Sequence, residues 1–330
     1  MNINSLVLRP LTPPIRDGIN KAVIKKGIAN NILTLSPDYF QSSNICPLKT
    51  LKKIEFDNST QFIPDKSLEN YVSNKMAQLG LKDAGVVLID LNNNKIASIN
   101  GQKSFYPASV IKLAVMAEAF HQASVNEINL DSIVAVSPAN VAPTWLPDGD
   151  KRPLLKAGAK ASIRHLIELM ITRSDNTATN VLIEKLGRKN ISKFMADIGL
   201  SGIQVHRKLS VEYDKNSTGS NKMTSLETAK LLAMIAKGEL VDYKSCTEMM
   251  NILGKQMDNE KIPAGLPKNA KIYHKTGETS KTTHDAGIIK IGGKSYILSI
   301  FTNLSPGSAV KKITSLTSGI WSLPDFPKKA

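Results

Sequence analysis

The chain has 330 residues, 42% of them hydrophobic and 22% charged, which excludes a disordered, collagen-like or coiled-coil protein. That length suggests one to three domains, with enough chain to bury a core without disulfides or metal. The 43 lysines and arginines outnumber the 28 acids, and the net charge of +15 attracts anionic partners such as nucleic acid, acidic lipid or cell-envelope polymers. Aromatic residues are only 5%, thin for stacking bases, so a solvated basic surface is favoured over a nucleic-acid groove. There is no run of about 18 apolar residues, so no spanning helix is expected. Cys46 and Cys246 lie too far apart for a disulfide framework, a redox pair or a cysteine zinc site.

Residues 1–66 are proline-dotted and weakly periodic, and they read as an N-terminal extension or linker. Their best apolar run, 3–8, is short and is followed by Arg9 and Pro10, so no secretory signal is recognisable. The pattern firms at Ser67, a candidate cap for a helix that lines up Leu68, Val72, Met76 and Leu79 and stops at Gly80. Strands are expected at 84–91 and 95–99 around an asparagine turn, and then a strongly apolar helix at 109–121. Residues 129–150 read as loops. Three short helices, 162–171, 177–186 and 190–198, follow, with Gly187 and Gly199 as stops. After a polar loop at 204–222 come helices at 224–236 and 243–257. Strands at 271–276, 286–291 and 295–303 follow, the last two joined at Gly292 and Gly293, and a helix at 308–321 closes the pattern. Strands from both ends can share one sheet. The expected fold is α+β: a mainly antiparallel sheet with terminal helices packed on it and an inserted all-helical lobe, with a cleft between them. The catalytic domain is placed at 67–323 and a tail at 324–330.

Three short motifs carry candidate chemistry. Ser109 and Lys112 open the apolar helix at i and i+3, so their side chains share a face and the amine can reach the hydroxyl. A lysine among Ile111, Leu113, Val115 and Met116 is costly unless it is paired or neutral. Ser308 and Lys311 repeat the spacing on what reads as a surface helix, so the spacing alone is weak. Ser174-Asp175-Asn176 stands between two helices and by itself is an ordinary cap. Lys275-Thr276-Gly277 ends a strand, where glycine would let a substrate backbone approach.

In this order the three motifs match the set found in class A β-lactamases and penicillin-binding proteins. The chain resembles that superfamily of active-site serine hydrolases, and class A β-lactamases most. The resemblance extends to Phe105-Tyr106-Pro107-Ala108, the run 169–180, Pro263-Ala264-Gly265-Leu266-Pro267 and His284-Asp285-Ala286-Gly287-Ile288. It implies a β-lactamase/transpeptidase-like fold, Ser109 as the acylated nucleophile, and Lys112 as its base or as the helper of one. It further implies Ser174 as proton donor to the leaving nitrogen and Asn176 as holder of the substrate amide. Lys275 and Thr276 would hold the substrate carboxylate, and the backbone amides of Ser109 and Glu278 would form an oxyanion hole. For deacylation the resemblance points to Glu212, four residues before Asn216, with Asn180 holding it. Lys215 departs from the leucine of that pattern, and Ser210 stands where an arginine is expected, so a solvated acid is the alternative for Glu212.

The function expected is serine acyl-hydrolysis of the β-lactam amide. A D-alanyl-D-alanine peptidase, penicillin-binding protein or related esterase or amidase is the alternative, and a binding protein with a vestigial site is the second. The expected partner is a small β-lactam or a peptidoglycan-type peptide, with anionic envelope polymers in reserve. No nucleic acid, metal or cofactor is called for, and a monomer is expected. The resemblance implies an extracytoplasmic site of action. The lack of a recognisable signal leaves the cytoplasm as the alternative.

Overall fold

The computed structural model describes residues 62–143, 154–211 and 214–327. Most of the expected N-terminal extension therefore lies outside the described residues, as does Glu212. The described chain opens with β1 (Ile63–Pro64), which pairs in parallel with residues 95 and 96. These residues read as linker in the sequence because of Pro64, yet an edge strand tolerates a missing N–H. The first helix, α1 (Lys66–Gln78), is capped by Asp65, whose carboxylate accepts from Leu68 N at 3.0 Å, rather than by Ser67.

Strands β2 (Gly85–Asp90) and β3 (Lys95–Ile99) form the expected hairpin. A two-residue strand, β4 (Ser104–Phe105), and a 3-10 helix, Ala108–Ile111, precede α2 (Lys112–Ser124). The stretch expected as loop contains β5 (Ile133–Ala135), which pairs with β6 (Lys160–Ser162). Helices α3 (Ile163–Thr172), α4 (Asn176–Leu186) and α5 (Arg188–Asp197) follow where the periodicity put them. Next come β7 (Met223–Thr224), which pairs with β4, then α6 (Ser225–Lys237), α7 (Tyr243–Leu253) and the short α8 (Ile262–Gly265). The C-terminal part comprises β8 (Lys271–Glu278), β9 (Thr283–Ile291), β10 (Lys294–Thr302) and α9 (Pro306–Trp321).

One six-stranded sheet runs in the order β1-β3-β2-β10-β9-β8. All its neighbours are antiparallel except β1 and β3. Period-two alternation sorts its side chains. Val86 and Leu88 pack with Ile313, Leu316 and Ile320 under the terminal helices, whereas Val87 and Ile89 face the core shared with α2, α3 and α6. Gly292 and Gly293 turn the β9–β10 hairpin with φ of +57° and +74°, left-handed geometry that glycine adopts without steric cost. Phe326, expected in the tail, packs on Tyr296 and Trp321 with ring centroids 5.4 Å away in each case. No helix among the described residues is long and apolar enough to cross a membrane.

Candidate active site

Ser109, the expected nucleophile, sits on a strained turn. Ala108, just before Ser109, has φ +46°, and the 3-10 helix that begins there runs directly into α2. A non-glycine residue in that region costs roughly 1–3 kcal/mol and is held by its surroundings. One surrounding element is β8. A Cβ added at Gly277 would lie 2.9 Å from Pro107 O and 3.0 Å from both Ser109 N and Val110 Cγ2. The sequence suggested that this glycine admits a substrate backbone. The close approach the structure shows at this glycine is between the end of β8 and the turn that presents Ser109.

One turn on, Lys112 is fully buried, and its Nζ lies 2.9 Å from Ser109 Oγ. The same amine donates to the Ser174 carbonyl at 2.8 Å and Asn176 Oδ1 at 2.9 Å, and it lies 2.9 Å from Ser174 Oγ. Burial first, and then the Lys275 charge, push its pKa well below the ordinary lysine value, against the pull of Asp175. A neutral amine has two N–H groups and one lone pair. The carbonyl and the amide oxygen can only accept, so they take both N–H groups, and the lone pair is left for a hydroxyl proton.

Lys275 approaches from the sheet side. It is fully buried, its Nζ donates to the Thr276 carbonyl at 2.8 Å, and it stands 3.0 Å from Ser174 Oγ. Burial brings it down to about 7, although Asp258 and Asp285 pull the other way. Ser174 therefore bridges two lysines, and it does so with φ +57°, a second strained residue in the cleft. The decoy pair Ser308 and Lys311 lies exposed on α9. The flanking histidines are structural. His284 Nδ1 accepts from Thr302 N, its Nε2–H donates to Tyr106 O, and burial holds it down at about 4. His274 pairs with Asp285 at 2.8 Å, and Asp285 also accepts from Ile262 N.

The remaining sequence candidates divide. Ser109, Ser174, Asn176, Thr276, Gly277 and Glu278 line one cleft. In this conformation Asn176 Nδ2 donates to Pro143 O at 2.8 Å and Ser210 Oγ at 3.2 Å, so a substrate amide must displace those partners. Asn180 is not on the cleft. It is fully buried and grips Leu209 with both ends of its amide, at 2.7 Å to the N–H and 2.9 Å to the carbonyl. The loop beyond is tied by Arg188 to Asp214 and by Lys208 to Glu184. Glu212 itself lies outside the described residues.

A family model described as the Beta-lactamase enzyme family matches residues 66–322. The chain belongs to that β-lactamase family. A β-lactamase of Bacillus subtilis (strain 168) is 29% identical over 276 residues, covering 82% of this chain and 85% of that one. The solved β-lactamase of Sphaerobacter thermophilus superposes with a TM-score of 0.68 at 22% identity, over 77% of this chain and 96% of that one. The structure of PBP-A gives 0.68 at 24% identity, over 78% and 96%. At these identities the solved structures establish the shared fold.

Within this β-lactamase-family cleft, sequence reasoning missed Arg173, Gln256, Asp258 and Lys261. The first three line the cleft. Lys261 lies behind it, 1% exposed, and its Nζ donates to Asp258 at 2.6 Å and Glu278 at 2.7 Å. Burial opposes ionisation of both Asp258 and Lys261, but their mutual attraction wins: the acid is held below its ordinary value and the lysine above. No spacing rule marks these residues, because Asp258 and Lys261 meet Glu278 only through the docking of α8 on the sheet.

Proposed function

We propose that this chain hydrolyses β-lactam amides through an acyl-Ser109 intermediate. The observation that carries the reading is Lys112: a buried amine of depressed pKa, 2.9 Å from Ser109 Oγ, with its lone pair open to a hydroxyl. Lys112 takes the Ser109 proton as Oγ bonds to the lactam carbonyl carbon. The backbone amides of Ser109 and Glu278 receive the developing oxyanion. The C–N bond breaks as Ser174 passes its proton to the leaving nitrogen, and Lys112 restores that proton. Lys275 and Thr276 hold the substrate carboxylate, and Asn176 holds the side-chain amide.

Water then attacks the ester, with Glu212 as base, and the acid leaves with Ser109 regenerated. Two features support Glu212: its spacing to Asn216, and the grip of Asn180 on Leu209 three residues upstream. Intact-protein mass spectrometry with a penicillin, run while drug loss is followed, tests the scheme. The wild-type protein should consume drug without a lasting adduct, Glu212→Gln should accumulate the adduct, and Ser109→Ala should do neither. A lasting wild-type adduct would make the protein a penicillin-binding protein and remove Glu212 from its role. Neither adduct nor drug loss would overturn the reading.

A further inference from the structure

The carboxylate end of the cleft carries a charge pattern that acyl transfer does not require. Lys261 joins Asp258 and Glu278 into one chain, with Nζ 2.6 Å from Asp258 Oδ2 and 2.7 Å from Glu278 Oε1. Their side chains are 1%, 14% and 35% exposed for Lys261, Asp258 and Glu278, so the cation is sealed beneath and the acids face the cleft. Two carboxylates against one ammonium leave the group with a net negative charge. The Thr276 hydroxyl lies within reach of Asp258 and helps hold that acid ionised. Glu278 Oε2 has no hydrogen-bond partner among the described residues. On the Ser174 wall, Arg173 is a buried, partnered cation. Lys275, with a pKa of about 7, is only partly charged at neutral pH.

A substrate bearing a lone carboxylate at Lys275 and Thr276 therefore meets attraction from one side and repulsion from the other. A cationic group beside that carboxylate removes the conflict, because it can sit against Glu278. We propose that Asp258, Lys261 and Glu278 make this end of the cleft selective for zwitterionic β-lactams, with a cationic substituent next to the carboxylate held by Lys275 and Thr276. The proposal rests on the acyl-transfer reading above.

The test compares two cephalosporins of the same shape at the 3-position, one with a pyridinium-methyl group and one with an uncharged arylmethyl group. The expected wild-type result is a kcat/KM about tenfold higher for the cationic substrate at low salt, falling towards parity as salt is raised. Glu278→Gln and Asp258→Asn should each bring the ratio towards one, whatever their absolute rates, since Asp258→Asn also lowers the charge on Lys275 that both substrates use. Equal wild-type values for two substrates that both acylate Ser109 would overturn the proposal, and so would a ratio unmoved in both variants. The wild-type comparison needs no variant to fold. If neither cephalosporin acylates wild-type Ser109, the acyl-transfer reading itself falls and takes this inference with it, an outcome marked by the absence of any adduct.

Discussion

Gly277→Ala separates a packing role from a catalytic one. The new Cβ would meet Pro107 O at 2.9 Å, and Ser109 N and Val110 Cγ2 at 3.0 Å, and two of those three are backbone atoms of the turn that presents the nucleophile. None is the free end of a flexible side chain, so the turn or the end of β8 must shift. Overpacking of this kind costs about 1–3 kcal/mol of stability. The atom displaced is the Ser109 amide, so acylation suffers as well: a misplacement approaching ~1 Å costs on the order of 10²-fold in rate, about 2.7 kcal/mol of barrier. Gly293→Ala is the control. There φ is +74° and nothing lies within 4 Å, so only the left-handed backbone cost of roughly 1–2 kcal/mol applies. Urea denaturation gives the stability of each variant, and the rate of covalent labelling by a fluorescent penicillin gives acylation. Both variants should lose stability, and only Gly277→Ala should lose acylation. A Gly277→Ala protein that labels at the wild-type rate would refute the claim that β8 positions the nucleophile.

Lys275, at about 7, should impose a falling limb on kcat/KM for carboxylate-bearing substrates as pH rises through neutrality, because the amine loses its charge there. Lys275→Arg, charged throughout, should abolish that limb whatever its absolute rate, and a wild-type profile that is flat across neutrality would contradict the assignment. The native pKa lies below the unfolded one, so the same group makes stability rise with pH between about 7 and 10.5, a slope that Lys275→Met should lessen in denaturation curves. Asn180→Ala removes the amide that grips Leu209 and leaves its buried backbone groups without that partner, which costs roughly 1–3 kcal/mol. The variant should acylate normally but release product slowly, so the penicillin adduct should persist in mass spectra. Unchanged turnover would detach the loop from deacylation.

The sequence makes the long elements legible because burial forces a period on them. The apolar run around Lys112, the alternation in β2 and the paired glycines after β9 all report their own environment. Short pairings do not. Strands β4 and β7 are two residues each and lie more than a hundred residues apart in the chain, so neither has a pattern to show. Asp65 and Ser67 are both good cap residues, and only geometry decides that the carboxylate reaches Leu68 N. The most instructive shortfall is at the cleft. Strand β8 continues through Gly277 to Glu278 and β9 begins at Thr283, where the polar run reads as a turn. Lys275, Thr283, His284 and Asp285 are nonetheless buried. Polar residues forced into a strand interior are a local conflict that a catalytic cleft tolerates, so sequence reasoning fails there for a functional reason.

That cleft also shows one residue type tuned three ways. Lys261 is sealed against two carboxylates, at 2.6 and 2.7 Å, and stays charged. Lys112 is equally buried but meets only hydroxyl, carbonyl and amide oxygens, and burial, then the Lys275 charge, push its pKa well below the ordinary lysine value. Lys275 touches no carboxylate directly but feels Asp258 and Asp285, and burial brings it down to about 7. Desolvation is common to all three, so the neighbouring charges, acids above all but also the other lysines, set how far each pKa moves. In the proposed scheme this order of environments divides the work: a fixed cation behind the cleft, a titrating cation for the substrate, and a base beside Ser109. The order follows from where β8 and α8 dock, not from the lysines themselves, and moving an acid should therefore move a role. Asp258→Asn should lower the pKa of Lys275 further and shift its falling limb in the pH profile below neutrality, whereas an unmoved limb would mean that Asp258 does not set it.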